Sequence, residues 1–493
     1  MKQNAFTLRI GWAQADITPD EPVAICGQFH ARVSEGVMDP LTATAMALES
    51  EGAGVVFVSC DLAVIPDVLR DAVRTRMVRG GIDPENVIMH ATHTHTGPEV
   101  RLPDLFYSGP SSGKGVELPV MPEEKYLEFA SERIARAVEE AWALRAPGKV
   151  AYGLGYAVVG RNRRWVNTLG QSTMYGNTNT PDFSHIEGYE DHSVNVLATY
   201  DMEDSLTGVV VNVPCPSQVD ESAFQLSADY WHDTRQELRR RLGKKLFVLP
   251  QCSAAGDQSP HPIYEKRATQ RMGKLAGRTE RQVIANRISD AVTDTLDCIN
   301  DRAADAVVLR HQTERMEVPM TALTEEQAKE ALEQAEVWAH RYEEEKRKLE
   351  SAPELKKEPR WYVQITRAHR LSAWYAAVAD RFKQQGTQAT RPVELHFVRL
   401  GDVAFATNPF EYYLDFGVRI KCRSKAIQTF LVQLTGGGTY VPSLRSTQGG
   451  GYGSIPASNP LGPAAGRLVA EKSVEVINNL FDEDQSSGNE SDK

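Results

Sequence analysis

Apolar and polar residues follow one another in blocks that predict the strands and helices of an α/β protein. Apolar, β-branched runs predict buried strands over 8–16, 42–49 and 54–60. A helical pattern over 66–79 then leads to a short apolar strand over 87–91. A strand, a helix and a second strand in this order predict a parallel pair with a right-handed crossover.

The same patterns continue along the rest of the chain. Helices are predicted over 124–145, from 227 to about 242, over 280–299 and over 464–481; strands over 149–159, 193–200, 208–213, 246–249, 305–311, 393–400, 403–407 and 430–434. A helix is also expected from Asn408 to Cys422, with Glu411 in its first turn. Residues 168–188 are rich in Gly, Asn, Thr and Ser and predict a long loop, a candidate lid.

A long helical hairpin is predicted over 324–350 and 359–386, where Ala, Glu, Lys, Gln and Arg predominate. The expected fold class is therefore α/β, with mixed β-sheets flanked by helices and this hairpin inserted at about 324–386. Residues 1–481 are expected to form a single domain, and the hairpin is a candidate surface for homo-oligomerisation. The acidic, polar segment 482–493 is expected to be disordered.

Composition narrows the class of protein. The 493 residues are 41% hydrophobic and 25% charged, as in ordinary globular proteins, and the net charge is −11. This charge argues against a general affinity for nucleic acid or anionic membranes. The N-terminus lacks an apolar signal-peptide core, and no apolar run approaches the roughly 18 residues of a membrane span. Six dispersed cysteines without a CxxC pair are typical of reduced thiols, so a cytoplasmic location is expected.

The strongest candidate chemistry is the segment Met89–Pro98, which contains His90, His93 and His95 directly after an apolar strand. In an extended segment, residues two apart point to the same side, so His93 and His95 can share a metal or divide ligand and proton-transfer roles. Ligands usually bind at the carboxyl edge of such sheets. The alternative is a polar loop that happens to contain histidine.

Other candidates follow later strands. Arg161, Arg163 and Arg164 form either a solvated cluster or a clamp for an anion or carbonyl. Ser259, after the segment Gln251–Gln258, is either a turn cap or a nucleophile facing the same edge as the histidines. Glu411 is either a carboxylate that suits a helix dipole or a metal ligand. Two glycine clusters, at 436–438 and 449–451, each precede a tyrosine.

In this order, these motifs resemble the catalytic domain of neutral (non-lysosomal) ceramidases. The similarity runs from Gly11-Trp-Ala-Gln-Ala-Asp-Ile-Thr-Pro19 to about residue 481. Its most specific elements are Ala91-Thr-His-Thr-His-Thr-Gly-Pro98 and Gly256-Asp-Gln-Ser-Pro260, followed by the late glutamate and two tyrosines twelve residues apart. The resemblance implies hydrolysis of a linear amide bond and one Zn²⁺ per chain.

The resemblance also assigns roles to individual positions. It implies that His93, Glu411 and Tyr440 bind zinc and that His95 is a hydrogen-bonding or proton-transfer group. Arg163 would lie in the substrate site, Tyr452 would polarise the scissile carbonyl and Ser259 would be the nucleophile. Zinc lowers the pKa of a bound water or hydroxyl to about 7, so either Ser259 or a zinc-bound water can be the attacking group.

Two features depart from the family. Its second zinc histidine, which precedes a proline, is missing from Asn212-Val-Pro-Cys-Pro216, where Cys215 is either a substitute ligand or a buried thiol. His232 is a second candidate for this ligand. The family's C-terminal immunoglobulin-like domain is also not matched. The expected substrate is a small or polar N-acyl compound rather than ceramide; the alternatives are an esterase or another hydrolase on the same scaffold, or an inactive ligand-binding homologue.

Overall fold

The computed structural model describes residues 7–77, 81–100 and 114–487, the last five of these by their backbone alone. The strands are β1 (Arg9–Asp16), β2 (Thr42–Ser50), β3 (Ala53–Cys60), β4 (Val87–Ala91), β5 (Ala146–Pro147), β6 (Lys149–Tyr156), β7 (Arg161–Asn162), β8 (Arg164–Asn167), β9 (Ser172–Met174), β10 (Phe183–Ile186), β11 (Ser193–Tyr200), β12 (Leu206–Val213), β13 (Phe247–Cys252), β14 (Gln258–Ser259), β15 (Leu309–Pro319), β16 (Thr390–Leu400), β17 (Val403–Thr407), β18 (Glu411–Tyr412), β19 (Gln428–Val432) and β20 (Tyr440–Val441). The helices are α1 (Asp67–Arg76), α2 (Glu123–Ala143), α3 (Tyr230–Leu242), α4 (Lys266–Leu275), α5 (Glu280–Ile299), α6 (Glu325–Ser351), α7 (Val363–Gln384), α8 (Leu414–Arg423), α9 (Leu444–Gly449) and α10 (Pro463–Ser487).

Three mixed sheets form the centre of the fold, with strand orders β4-β3-β2-β1-β5, β13-β12-β11-β6 and β15-β16-β17-β19. Each contains one parallel pair, namely β3–β4, β12–β13 and β17–β19. One apolar cluster joins all three sheets and includes Phe57, Val210 and Phe405. The predicted fold class of mixed sheets flanked by helices is confirmed.

The carboxyl ends of the three parallel pairs meet at one place. The amide of Ala91 donates to the Leu434 carbonyl over 3.2 Å, and the amide of Gln433 donates to the Cys252 carbonyl over 3.0 Å. The segments that leave these ends carry the histidine motif, Ser259 and Glu411. The sheets therefore gather candidate residues that are more than 300 positions apart in the chain.

The predicted helical hairpin is present as α6 and α7, and it packs against the loop that precedes β2 and against the segment that follows β4. The hydroxyl of Thr366 accepts from the amide of Ala31 over 3.0 Å, and Arg370 forms a buried ion pair with Glu99 over 2.7 Å. The α7 residue Trp374 also contacts the ring of Phe29. The inner face of the hairpin is thus part of the protein interior, and its role in oligomerisation stays a prediction.

Three predictions of local structure were wrong. Residues 168–188 are not one long loop, because β9 and β10 within them pair with β8. Glu411 does not lie in the first turn of a helix: it pairs with Tyr440 in a short parallel ladder, and α8 begins only at Leu414. Helix α10 continues to Ser487, beyond the predicted end at 481, so the start of the predicted disordered segment is helical. Residues 488–493 lie outside the described residues.

Among the described residues, no helix is both long enough and apolar enough to cross a membrane.

Candidate active site

The backbone of His93 adopts a left-handed conformation. Its φ angle is +62°, in the left-handed region that a non-glycine residue adopts at a cost of roughly 1–3 kcal/mol. The ring Nδ1 lies 2.7 Å from the carbonyl oxygen of Ala63. Because a carbonyl can only accept, Nδ1 carries the proton in the neutral ring and Nε2 keeps a free lone pair.

His95 faces His93, as the sequence led us to expect. Their Nε2 atoms are 3.4 Å apart, although the left-handed turn at His93 and not an extended strand brings them together. Gly27 makes room for the second ring, since a Cβ there would lie 2.6 Å from the His95 Cγ. Burial lowers the pKa of His95, so the ring is neutral near pH 7.

Glu221 lies beside His95, and the sequence analysis missed it. Its carboxylate is 3.4 Å from His95 Nδ1 and 3.6 Å from His261 Nε2, and it accepts a hydrogen bond of 3.0 Å from Gln218. The carboxylate therefore bridges two histidines. No spacing rule joins Glu221 to His95, 126 residues earlier, so only the fold reveals the pair.

Glu411 contacts His93 from the other side. Its Oε2 lies 3.4 Å from His93 Nε2 and 3.8 Å from Arg163 Nη2. Burial opposes ionisation of this carboxyl, but His93, when its ring is protonated, and the Arg163 guanidinium outweigh it and hold the pKa below its ordinary value. The pairing of Glu411 with Tyr440 fixes the backbone at this point.

Arg163 is a buried clamp and not a solvated residue. Its Nη2 donates to the Gly256 carbonyl over 2.9 Å and to the Tyr440 hydroxyl over 3.2 Å. Its Nη1 donates to the Tyr175 hydroxyl over 3.0 Å. The planar fork thus fixes the positions of two tyrosine hydroxyls in the site.

Ser259 lies next to Tyr175 and is fully buried. Its Oγ accepts from the Tyr175 hydroxyl over 3.0 Å and from the amide of His261 over 3.1 Å. The Tyr175 oxygen itself accepts from Arg163 and from Gln218, which directs its proton towards Ser259. The contact with the His261 amide is an ordinary serine turn, but the tyrosine contact adds a second donor that would stabilise negative charge on Oγ.

Tyr452 is brought beside Tyr440 by a buried arginine. The two rings are 5.4 Å apart. Arg164 donates to the carbonyls of Gly450 and Tyr452, each over 2.6 Å, and pairs with Glu187 over 2.9 Å. Arg164 therefore holds the backbone of the second glycine cluster, and this places Tyr452 in the site.

The two candidates for the missing ligand are not joined to this group. Cys215 is buried, its thiol donates to the Pro216 carbonyl over 3.4 Å, and burial raises its pKa well above the ordinary value. His232 lies on α3 with Nδ1 3.9 Å from Asp39. In the described part of the chain, no hydrogen bond or ion pair links Cys215 or His232 to His93 or Glu411. Their roles as ligands stay predictions.

The nitrogen and oxygen donors around His93 suit zinc in type. Two donors bound at about 2.1 Å to a tetrahedral ion lie about 3.4 Å apart, and both His93–His95 and His93–Glu411 have this separation. The contact between His93 Nδ1 and Ala63 is the outer-shell bond that orients a ligating imidazole. Over residues 7–77, 81–100 and 114–487, however, no three His, Cys, Asp or Glu side chains form a complete metal site.

Solved structures of a ceramidase complexed with C2 and of neutral ceramidase from Pseudomonas aeruginosa match 97% of this chain, with TM-scores of 0.68 and 0.67. The chain has the neutral-ceramidase fold. Sequence identity to these structures is 17% and 18%, and the match covers 76% and 75% of them.

The match in sequence alone is shorter. Neutral ceramidase of Pseudomonas aeruginosa is 28% identical over 218 residues, which cover 42% of this chain but only 30% of that protein. No protein-family model matches the chain. The resemblance seen in the motifs is thus supported at the level of fold, and the roles of the individual residues stay predictions.

Proposed function

We propose that this protein is a hydrolase that cleaves a linear amide bond in an N-acyl substrate at Ser259. The observation that carries the proposal is the pair of hydrogen bonds that converge on the Ser259 Oγ, one of them from a tyrosine oriented by Arg163. A serine that only capped a turn would not need the second donor. The fold, shared with ceramidases, makes the same reaction class the natural expectation.

In this proposal the Ser259 Oγ attacks the carbonyl carbon and loses its proton. His95, neutral near pH 7 and 3.4 Å from Glu221, would accept this proton at Nε2 and return it to the departing nitrogen as the C–N bond breaks. The acyl group is then on Ser259 and is released by water through the same steps in reverse order. Tyr452 and Arg163 donate to the carbonyl oxygen as it gains negative charge.

Zinc would be held by His93, Glu411 and Tyr440. When bound, the ion supplies a Lewis acid that polarises the substrate carbonyl. The chain's own part is to hold His93 in one tautomer through Ala63 and to keep Glu411 ionised. Cys215 or His232 would have to move to provide a fourth ligand.

The test is an assay of N-acyl amides of increasing chain length, ceramide included, against esters of matched structure, with products identified by mass. Hydrolysis of amides that falls by about 10³-fold or more in Ser259→Ala supports the proposal. Ser351→Ala, at the end of α6, is the matched control. Faster cleavage of esters would assign an esterase instead, and ligand binding without turnover would assign an inactive homologue.

A further inference from the structure

A cavity of about 400 Å³ lies beside Ser259, between α4, α5 and the segment after β14. Pro260 and His261, which follow Ser259, form part of its wall, and so does Arg161, the strand partner of Ser259. Since a chain spans at most about 3.6 Å per residue, His261 is within roughly 7 Å of Ser259. Ser259 itself does not line the cavity, so a ligand there would lie next to the segment that carries the candidate nucleophile.

The lining of the cavity is strongly basic, although the whole chain carries a net charge of −11. It includes one carboxylate, Glu280, against five guanidinium or ammonium groups, those of Arg161, Lys266, Lys274, Arg278 and Arg287. In the part of the chain that the structure describes, no ion pair involves Lys266, Lys274 or Arg278. These cations converge on the cavity without partner anions, so the cavity attracts negative charge.

Helix α4 covers the cavity with a polar face. Lys266, Thr269, Gln270, Gly273 and Lys274 line it, and their spacing is that of one helix face. A helix that packs against the protein core usually turns its apolar residues towards that core. In α4, by contrast, no residue is buried, and the large apolar side chains of Met272 and Leu275 are 58% and 65% exposed. The inner face of α4 is therefore built to line a polar space.

We propose that this basic pocket binds an anionic group, a carboxylate or a phosphate, of the substrate whose amide bond reaches Ser259. The proposal rests on the function proposed above and narrows it: the substrate is an N-acyl compound with a negatively charged end. The cavity volume of about 400 Å³ lies within the range of about 300–1,000 Å³ that is usual for small-ligand pockets, so it can hold such a group together with a few carbon atoms. The pocket also gives a physical reason for a substrate more polar than ceramide.

The test compares three substrates with the same acyl chain: N-hexanoylglycine, N-hexanoyl-O-phosphoethanolamine and the neutral N-hexanoylethanolamine. We expect at least one anionic substrate to have a KM about tenfold or more below that of the neutral one, and the lower of the two anionic values to identify carboxylate or phosphate. Added salt should raise the anionic KM because it screens the attraction. Equal KM values for all three substrates would overturn the proposal.

Charge-reversal variants test whether the basic residues of the pocket cause the lower KM of the anionic substrate. Lys274→Glu and Arg278→Glu should each raise the anionic KM about tenfold with little change in kcat, and should leave the neutral KM within about twofold. Lys244→Glu is the matched control, because Lys244 is exposed at the opposite, amino end of β13. A KM for the anionic substrate that changes equally in Lys244→Glu and Lys274→Glu would overturn the proposal.

A binding measurement separates this proposal from the proposed reaction. Calorimetric titration of the Ser259→Ala protein with N-hexanoylglycine and with inorganic phosphate should show anion binding that Lys274→Glu weakens, even if no substrate is hydrolysed. In that case the pocket stands and the amidase function fails. Binding to phosphatidylserine vesicles that Lys274→Glu abolishes, with no binding of either small anion, would instead assign α4 to a membrane surface and refute the pocket.

Discussion

His90 provides a test that separates the first histidine of the motif from the two in the site. It lies on β4 with no exposed surface, and within the described residues neither ring nitrogen has a hydrogen-bond partner. Burial lowers its pKa to about 3. The residue is therefore neutral in the folded protein at any pH above about 3, whereas it is protonated below about 6.5 in the unfolded chain.

The sign and size of the effect follow from these two values. Between pH 6.5 and pH 3 the unfolded chain binds one more proton at His90 than the folded chain, so stability falls as the pH falls. This residue alone should lower the free energy of unfolding by about 2 kcal/mol between pH 7 and pH 5, and by about 5 kcal/mol below pH 3. Other groups titrate over the same range, so the measured quantity is the difference from a variant.

We expect His90→Leu to remove this dependence and to raise the free energy of unfolding at pH 7 by about 1–3 kcal/mol, since a buried polar group without a partner is replaced by an apolar one. The assay is urea unfolding of both proteins at pH 5, 6 and 7. His340→Gln, on the exposed surface of α6, is the control. If wild type and His90→Leu lose stability in parallel from pH 7 to pH 5, then His90 is not an isolated neutral ring and the reasoning is refuted.

Three further predictions concern the site. Lysine in Arg164→Lys cannot form the forked hydrogen bonds to Glu187, Gly450 and Tyr452, so the free energy of unfolding should fall by about 3 kcal/mol and kcat should fall more than KM rises. Denaturation and steady-state kinetics test this, with Arg136→Lys on the exposed surface as the control. An unchanged kcat would contradict it. Glu221→Gln should lower kcat about tenfold with KM within about twofold, because the charge between His95 and His261 is lost while the shape remains, and a Glu221→Gln enzyme with wild-type kcat would exclude this role. Elemental analysis should find about one zinc per chain in wild type and clearly less in His93→Ala; a wild-type value below about 0.2 that His93→Ala does not change would remove the metal from the proposal.

Local patterns were sufficient to predict most of the fold. The predicted β3 and β4 pair as expected because a buried β-branched run and a short apolar run flank a helical segment, and few topologies satisfy that order. The helical hairpin was recognisable from composition. Glu411 was misplaced because Asn408-Pro409 is typical of a helix start, whereas the ladder with Tyr440 depends on a strand 29 residues later. Strands β9 and β10 were hidden by turn-forming residues, since their pairing with β8 compensates for low strand propensity.

The residues of the site, too, were predicted only in part from the sequence. His93, Glu411, Arg163 and Tyr440, which the motifs singled out, do come into contact. Glu221, Tyr175 and His261 were missed, because each is a common residue in an unremarkable segment and acts only through a neighbour that the fold brings to it. Partners of catalytic groups leave no spacing signal when the groups lie on different sheets.

The same reasoning applies to the ligand that the sequence could not assign. A cysteine that replaces a zinc histidine must become a thiolate, but burial among apolar neighbours raises the pKa of Cys215 and its thiol proton is given to the Pro216 carbonyl. Without a bound cation, the surroundings of Cys215 favour the neutral thiol. His95 already stands 3.4 Å from His93 Nε2 with its own Nε2 facing the shared space. His95 is therefore the alternative to Cys215 as a zinc ligand, since binding through its Nε2 would need neither deprotonation nor a rearrangement of the core. A His95 that binds zinc through Nε2 could not also accept a proton there, so this role and the proton-transfer role proposed above exclude each other.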